Sequence, residues 1–206
     1  MTSKVSGEKA GREKAVESVF AALTQYGLLL KQDKSVPNVV GIVTGESLRI
    51  SWWGHPKSHL IFAVLAKLAD DPRILFVKLL DRKDTLVHSS LWPALLAVGT
   101  AREAWQMRGL SAAAADLLNR IDRGNSEVRS TGTAAKELQV RLLVTAHEAH
   151  TDSGRHELVL ESWLSWSSRA KCKALKSSAA GRQILEQAAT SIGARMKLLP
   201  WRNRSP

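Results

Sequence analysis

Between Pro56 and Pro72 the residues Leu60, Ile61, Val64, Leu65 and Leu68 recur at intervals of three and four. Directly after Pro72 the pattern changes to two β-rich runs, ILFVKLL (74–80) and TLVH (85–88), separated by a polar DRKD. A helical period passing at once into paired strand patterns restricts this stretch to a helix docked beside a two-stranded hairpin. Gly54 breaks the chain ahead of the helix and His55 is placed to cap it. Pro56 suits the first helical position, where its missing N–H needs no partner. Pro72 disfavours helical geometry at Asp71 and ends the helix. Trp52 and Trp53, just upstream, are expected to pack the chain entry against the hairpin and the first helix. The alternative for this pair is an aromatic platform for bases or a ligand.

Upstream, Val16, Val19, Phe20 and Leu23 continue into Leu28–Leu30 and predict a helix from about Gly11 to about Leu30. Residues 1–11 are small and polar and are expected to form a flexible N-terminus. VPNVVGIVTGE, with Pro37 near its start and Gly45 near its stop, suits a short helix, and its β-branched content leaves a strand open. Downstream of the hairpin the pattern reads as helix throughout. SLWPALLAVGTAREAW is one segment, SAAAADLLNRID begins at Ser111, and GNSEVRSTGT has the composition of a linker. AAKELQVRLLVTAHEAH then sets Leu138, Leu142, Leu143 and Ala146 on one face. RHELVLESWLSWSSRAKCKAL gathers Leu158, Leu160, Trp163, Leu164 and Trp166, and a last helix spans about 180–196. The expected fold is mostly α with a small β-hairpin: a unit over 12–90 and a helical region over 91–206 that ends in a basic segment.

Charge narrows the partners. The 206 residues carry a net charge of +11. Residues 151–206 alone hold 10 basic and 4 acidic side chains. Such a field attracts polyanions, of which nucleic acid is the commonest, and it also keeps proteins in solution. A single cysteine, Cys172, excludes an intrachain disulfide, and with no apolar leader this points to a reducing, cytoplasmic setting. The longest uncharged run, Thr85–Ala101, is too short and polar to span a bilayer, so no membrane role is expected.

Helix, short helix, helix, two-stranded hairpin is the element order of a winged helix-turn-helix, and residues 12–90 resemble that class in order and length. The resemblance implies a helix over 56–70 in the major groove and a wing at Asp81–Asp84 on the backbone. Lys57, Ser58, His59 and Lys67 would be donors on the helix, with Arg82 and Lys83 at the wing tip. The helix holds no Arg, Asn or Gln, the residues suited to bidentate base readout. Phe62 and Ala66 on its outward side suit protein contact, and Asp81 and Asp84 would repel phosphate. A second basic face gathers Arg169, Lys173 and Lys176 at helical spacing. Lys171, Arg182, Arg195, Lys197, Arg202 and Arg204 add charge around Trp201.

Catalytic patterns are sparse. His55 and His59 stand four apart; His147, His150 and His156 form a second group beside Glu148 and Glu157. HEAH is one residue short of the H-E-x-x-H zinc pattern, so these imidazoles are expected at the surface or in caps, with no metal and no cofactor. Lys171 and Lys173 could lower the Cys172 pKa, but no base for a nucleophile is evident. No nucleophile elbow, dinucleotide-binding or phosphate-binding loop occurs. The reading is a non-enzymatic nucleic-acid-binding protein. The alternatives are a Trp-rich interaction or assembly module, with a protein partner or a homo-oligomer, and a small metal-dependent enzyme.

Overall fold

The computed structural model describes residues 2–124, 127–150 and 156–202. The chain is mixed α/β, about 56% helical and 15% strand, with two small three-stranded antiparallel sheets among the described residues.

The first unit runs α1 (Thr2–Tyr26), β1 (Leu28–Leu30), α2 (Val39–Thr44), α3 (Ser58–Ala69), β2 (Ile74–Leu80) and β3 (Lys83–His88). Its sheet has the order β1-β3-β2. The helix and hairpin expected over 56–88 are both present. α3 begins at Ser58, two residues after Pro56, because a 3₁₀ turn over Trp52–Gly54 precedes it. His55 lies outside the helix: its Nδ1 accepts the Lys57 N–H at 3.0 Å and its carbonyl accepts that of Ser58. Ile61, Val64, Leu65 and Leu68 are buried, as their spacing requires.

The segment left open between helix and strand is α2. Asn38 caps it by accepting the Gly41 N–H at 2.8 Å, and Gly45, at φ 84°, closes it by donating to the Gly41 carbonyl. The end of α1 differs from expectation. Gly27 takes φ 75°, α1 stops at Tyr26, and Leu28–Leu30 pairs with β3 in the register Leu28↔Val87, Leu29↔Leu86 and Leu30↔Thr85. All three leucines are buried because the sheet is covered on both faces. Leu29 and Leu86 join Val19, Leu23, Ile61 and Leu68 on one side. Leu28, Leu30 and Val87 join the C-terminal helices on the other.

The second half comprises α4 (Trp92–Gly99), α5 (Ala104–Met107), α6 (Ala112–Gly124), β4 (Val128–Arg129), α7 (Thr133–Val140), β5 (Thr145–His150), β6 (His156–Glu161), α8 (Trp163–Arg169) and α9 (Ser178–Ser191). The all-helical expectation for this half is corrected: β4, β6 and β5 form a second sheet in that order. AAKELQVRLLVTAHEAH divides because Leu142 turns the chain at φ 53°, after which Thr145–His150 pairs with His156–Glu161. Ser162 then caps α8 by accepting the Ser165 N–H at 3.1 Å, so the expected helix over 155–175 shortens to Trp163–Arg169.

The halves share one apolar cluster in which α4 and α9 pack on the sheet through Leu95, Val98, Leu185 and Ala189. Gly181 lets the two helices meet closely: a Cβ there would lie 2.5 Å from the Ala94 carbonyl oxygen. Arg141 fastens α5 by donating to the carbonyls of Gln106, Arg108 and Gly109. The fully buried Gln106 amide donates to the Arg141 carbonyl at 3.2 Å.

Candidate nucleic-acid interface

The side of the first unit that includes the N-terminal end of α3 is assembled by three loops. Gln32 donates to the Ile50 carbonyl at 2.6 Å, and Ser47 donates to the Lys34 carbonyl at 2.9 Å. Lys83, at the hairpin tip, bonds Asp33 at 3.0 Å. Segment 31–35 therefore ties the hairpin tip to the loop that leads into α3.

On this side the sequence-derived donors divide by what already holds them. His59 and Lys67 are exposed on α3. Lys57 is exposed but its ammonium donates to the Thr44 carbonyl at 2.9 Å, closing the end of α2. Ser58 is half-buried at the start of α3. At the tip Arg82 is exposed. Lys83 lies between Asp81 at 2.9 Å and Asp33 at 3.0 Å. Its bond to the accepting Asp81 carboxylate holds its pKa above the ordinary lysine value, burial opposes this, and Asp33 reinforces it. Asp33 is itself held low: burial raises it, and the Ser35 N–H and Lys83 outweigh that. The tip is also docked on the second half, with the Asp81 N–H donating to the Leu198 carbonyl at 2.8 Å.

Two cations that the sequence reading passed over stand here, Lys34 and Arg49, both exposed and without an ion-pair partner among the described residues. They fall in KQDKS and ESLRI, whose only signal is loop composition. The indole pair is split. Trp52 is 4% exposed, as packing requires, whereas Trp53 is 66% exposed. The two rings stack with centroids 4.2 Å apart and planes 22° apart.

The C-terminal basic face is rearranged. Its helical spacing does not exist, because α8 ends at Arg169 and Lys171 turns the chain at φ 51°. Lys173 and Lys176 are exposed on the connection to α9. Arg169 is not free: it bonds the buried Glu161 at 2.6 Å, and that bond raises its pKa against the opposing effect of burial. Trp201 and Arg202 both serve Glu186, at 2.7 and 2.8 Å. Trp105 and Arg182 serve Glu103 in the same way. Trp105, Arg182, Glu186, Trp201 and Arg202 line a cleft of about 330 Å³ whose cations are already matched by carboxylates. Arg204 lies outside the described residues.

The remaining constellations come apart. His55 pairs with Glu46 at 2.9 Å while His59 faces solvent. His147 approaches Glu127 at 3.4 Å. Because residues 145–150 form a strand, the helical spacing of His147 and His150 is lost. The side chains of His150 and His156 lie outside the described ones. Among the described residues no group of three metal-ligating side chains occurs. Burial pushes the Cys172 thiol pKa up, against the lowering expected from its lysine neighbours. No helix among the described residues is long and apolar enough to cross a membrane. Compared with known proteins, the chain matches no family model, no curated protein and no solved structure.

Proposed function

We propose that the chain is a non-enzymatic nucleic-acid-binding protein whose first unit is winged-helix-like. One observation carries this reading: helix, strand, short helix, helix and hairpin follow in that order, the strands pair as β1-β3-β2, and α3 packs against this sheet with His59, Phe62, Ala66 and Lys67 exposed. A helix presented this way by a small sheet is the arrangement that enters a groove. The positive balance of the chain adds the long-range attraction such contact needs.

The contacts assigned on this reading are Lys34, Arg49, Lys57, Ser58, His59, Lys67 and Arg82, with Lys173 and Lys176 as a second patch. Lys83 and Arg169 contribute less, since each is committed to carboxylates. The hairpin does not reach out as a free wing, because its tip is bound to Leu198; phosphate contact there falls to Arg82 alone. With no Arg, Asn or Gln on α3 for bidentate base readout, binding is expected to depend on backbone charge more than on sequence.

The test is a gel-shift series on duplex DNA, single-stranded DNA and RNA. If each of the seven assigned Lys and Arg side chains meets one phosphate, affinity is expected to fall about 1,000- to 10,000-fold between about 50 and about 200 mM salt. Charge reversal at Lys34 and Arg49, or at Lys173 and Lys176, is expected to flatten that salt dependence. A protein that stays unbound at low salt, or that binds equally well after both reversals, overturns the reading.

A further inference from the structure

Six of the seven tryptophans are buried or half-buried, and Trp53 alone is exposed. An indole left in water forgoes the gain of burying its large apolar surface, so its exposure points to a contact surface. It does not stand alone: Ile50 is 78% and Phe62 52% exposed, and the Phe62 ring centroid lies 6.5 Å from that of Trp53. One face of the Trp53 ring rests on buried Trp52, and the 3₁₀ turn that carries both rings is capped by Ser51. The Trp53 ring is thus held in place, with its other face open.

The surroundings select the occupant. Arg49 and Lys57 flank this turn in the chain, and Lys34 lies on the segment hydrogen-bonded to the 47–50 loop just ahead of it. Lys34 and Arg49 have no carboxylate partner among the described residues. The one acid of the loop, Glu46, is engaged by His55 at 2.9 Å. A fixed aromatic face among uncommitted cations is complementary to a base and its flanking phosphates. It is poorly matched to a neutral or basic protein surface. α3, meanwhile, has no Arg, Asn or Gln for bidentate reading of base edges in a closed groove.

We infer that Trp53 is a stacking platform for an unpaired nucleobase, so that the preferred partner is a single strand or a locally opened duplex. The inference rests on the nucleic-acid reading and specifies its ligand. Phosphates on either side of the stacked base are met by Arg49 and Lys34, and Phe62 and Ile50 close off water at the ring edge.

The experiment uses the full chain with oligothymidylate and with a blunt duplex of equal length, binding being followed by anisotropy. Trp53→Ala is expected to weaken oligothymidylate binding roughly 5- to 150-fold and to leave duplex binding within about twofold. Trp53→Phe restores most of the loss, and tryptophan quenching by the oligonucleotide is smaller in this variant than in the wild type. If Trp53→Ala binds oligothymidylate like the wild type while Lys34→Glu/Arg49→Glu does not, the platform is overturned and the nucleic-acid reading stands. If the wild type binds no nucleic acid, both fail. A concentration-dependent increase in mass that Trp53→Ala abolishes, without any oligonucleotide effect, assigns the patch to protein contact and also overturns the inference.

Discussion

At the hairpin tip the chain places two non-glycine residues, Asp81 and Arg82, in the left-handed region at φ 54° and 58°. A two-residue turn of this hand matches the twist of the flanking strands, and Leu80↔Lys83 closes it. The side-chain crowding at such an angle costs about 1 kcal/mol for arginine and almost nothing for glycine. Arg82 is exposed and belongs to no ion pair among the described residues, so no contact in the fold offsets that cost. Arg82→Gly is therefore expected to stabilise the protein by about 0.5–1 kcal/mol, a rise in Tm of about 2–3 °C. The same variant should lose duplex affinity if the hairpin tip touches phosphate. Calorimetry showing a lower Tm would refute the strain account. A higher Tm with unchanged affinity would remove Arg82 from the interface. Lys83, one residue on, responds in the opposite sense: Lys83→Met should lower stability, because it strands Asp33 and Asp81 without their cation.

At the scale of elements, what could be read from sequence was what a segment determines by itself. α3 carries its own period and is bounded by Pro56 and Pro72, and the hairpin carries its own turn, so both were legible. β1 was not: its three leucines continue the stripe of α1, and they become a strand only through Gly27 and pairing with β3. β5 was hidden in the same way. Leu138, Leu142 and Leu143 mimic a helix face, and the break comes from a left-handed leucine that has no sequence signature. The candidate interface follows this rule. The positions of Lys57 just ahead of α3, of His59 and Lys67 on it and of Arg82 at the tip could be anticipated. The capture of Lys83 by Asp33, 50 residues away, and the separate fates of Trp52 and Trp53 depend on tertiary contact. The contact of α4 with α9 gives a prediction at this scale. Gly181→Ala drives a methyl group into the Ala94 backbone, which has no rotamer to yield, and should cost about 1–3 kcal/mol. Gly11→Ala, in α1 with nothing within 4 Å of the new methyl, should instead gain about 0.5–1 kcal/mol from helix propensity. Equal effects of the two in thermal unfolding would show that the helices do not meet at Gly181.

For the whole molecule, the described carboxylates set the response to acid. For Glu103 and Glu137 burial raises the pKa, and hydrogen bonds from Ser178 and Trp105, or from Ser111, outweigh it together with Arg182 or Arg141. Glu186 is lowered first by its bond from Arg202, and Asp71 by its bond from Arg73. A carboxylate held below its ordinary value of 4.5 for Glu or 3.8 for Asp adds stability above that value and loses it as pH falls through the folded one. His88 acts earlier. Burial lowers its pKa from 6.5, Arg73 adds to this and Asp71 opposes it. Its ring packs edge-on to Phe20 at 5.8 Å, beneath which Arg73 forms a cation–π contact at 3.8 Å. The unfolded chain takes up that proton first, so stability begins to fall just below pH 6.5. Tm should accordingly be level between about pH 7 and about pH 8, decline gently below that range, and drop steeply below about pH 4.5 as the carboxylates join. His88→Gln removes the gentle phase and keeps the steep one. Acidification also raises the net charge above +11, and the resulting self-repulsion acts in the same direction. Added salt separates the two causes: it screens diffuse repulsion between exposed charges, whereas the His88 phase arises from burial and persists. A gentle phase that disappears in salt, or that survives in His88→Gln, would place the early acid sensitivity in the overall charge instead of at this ring.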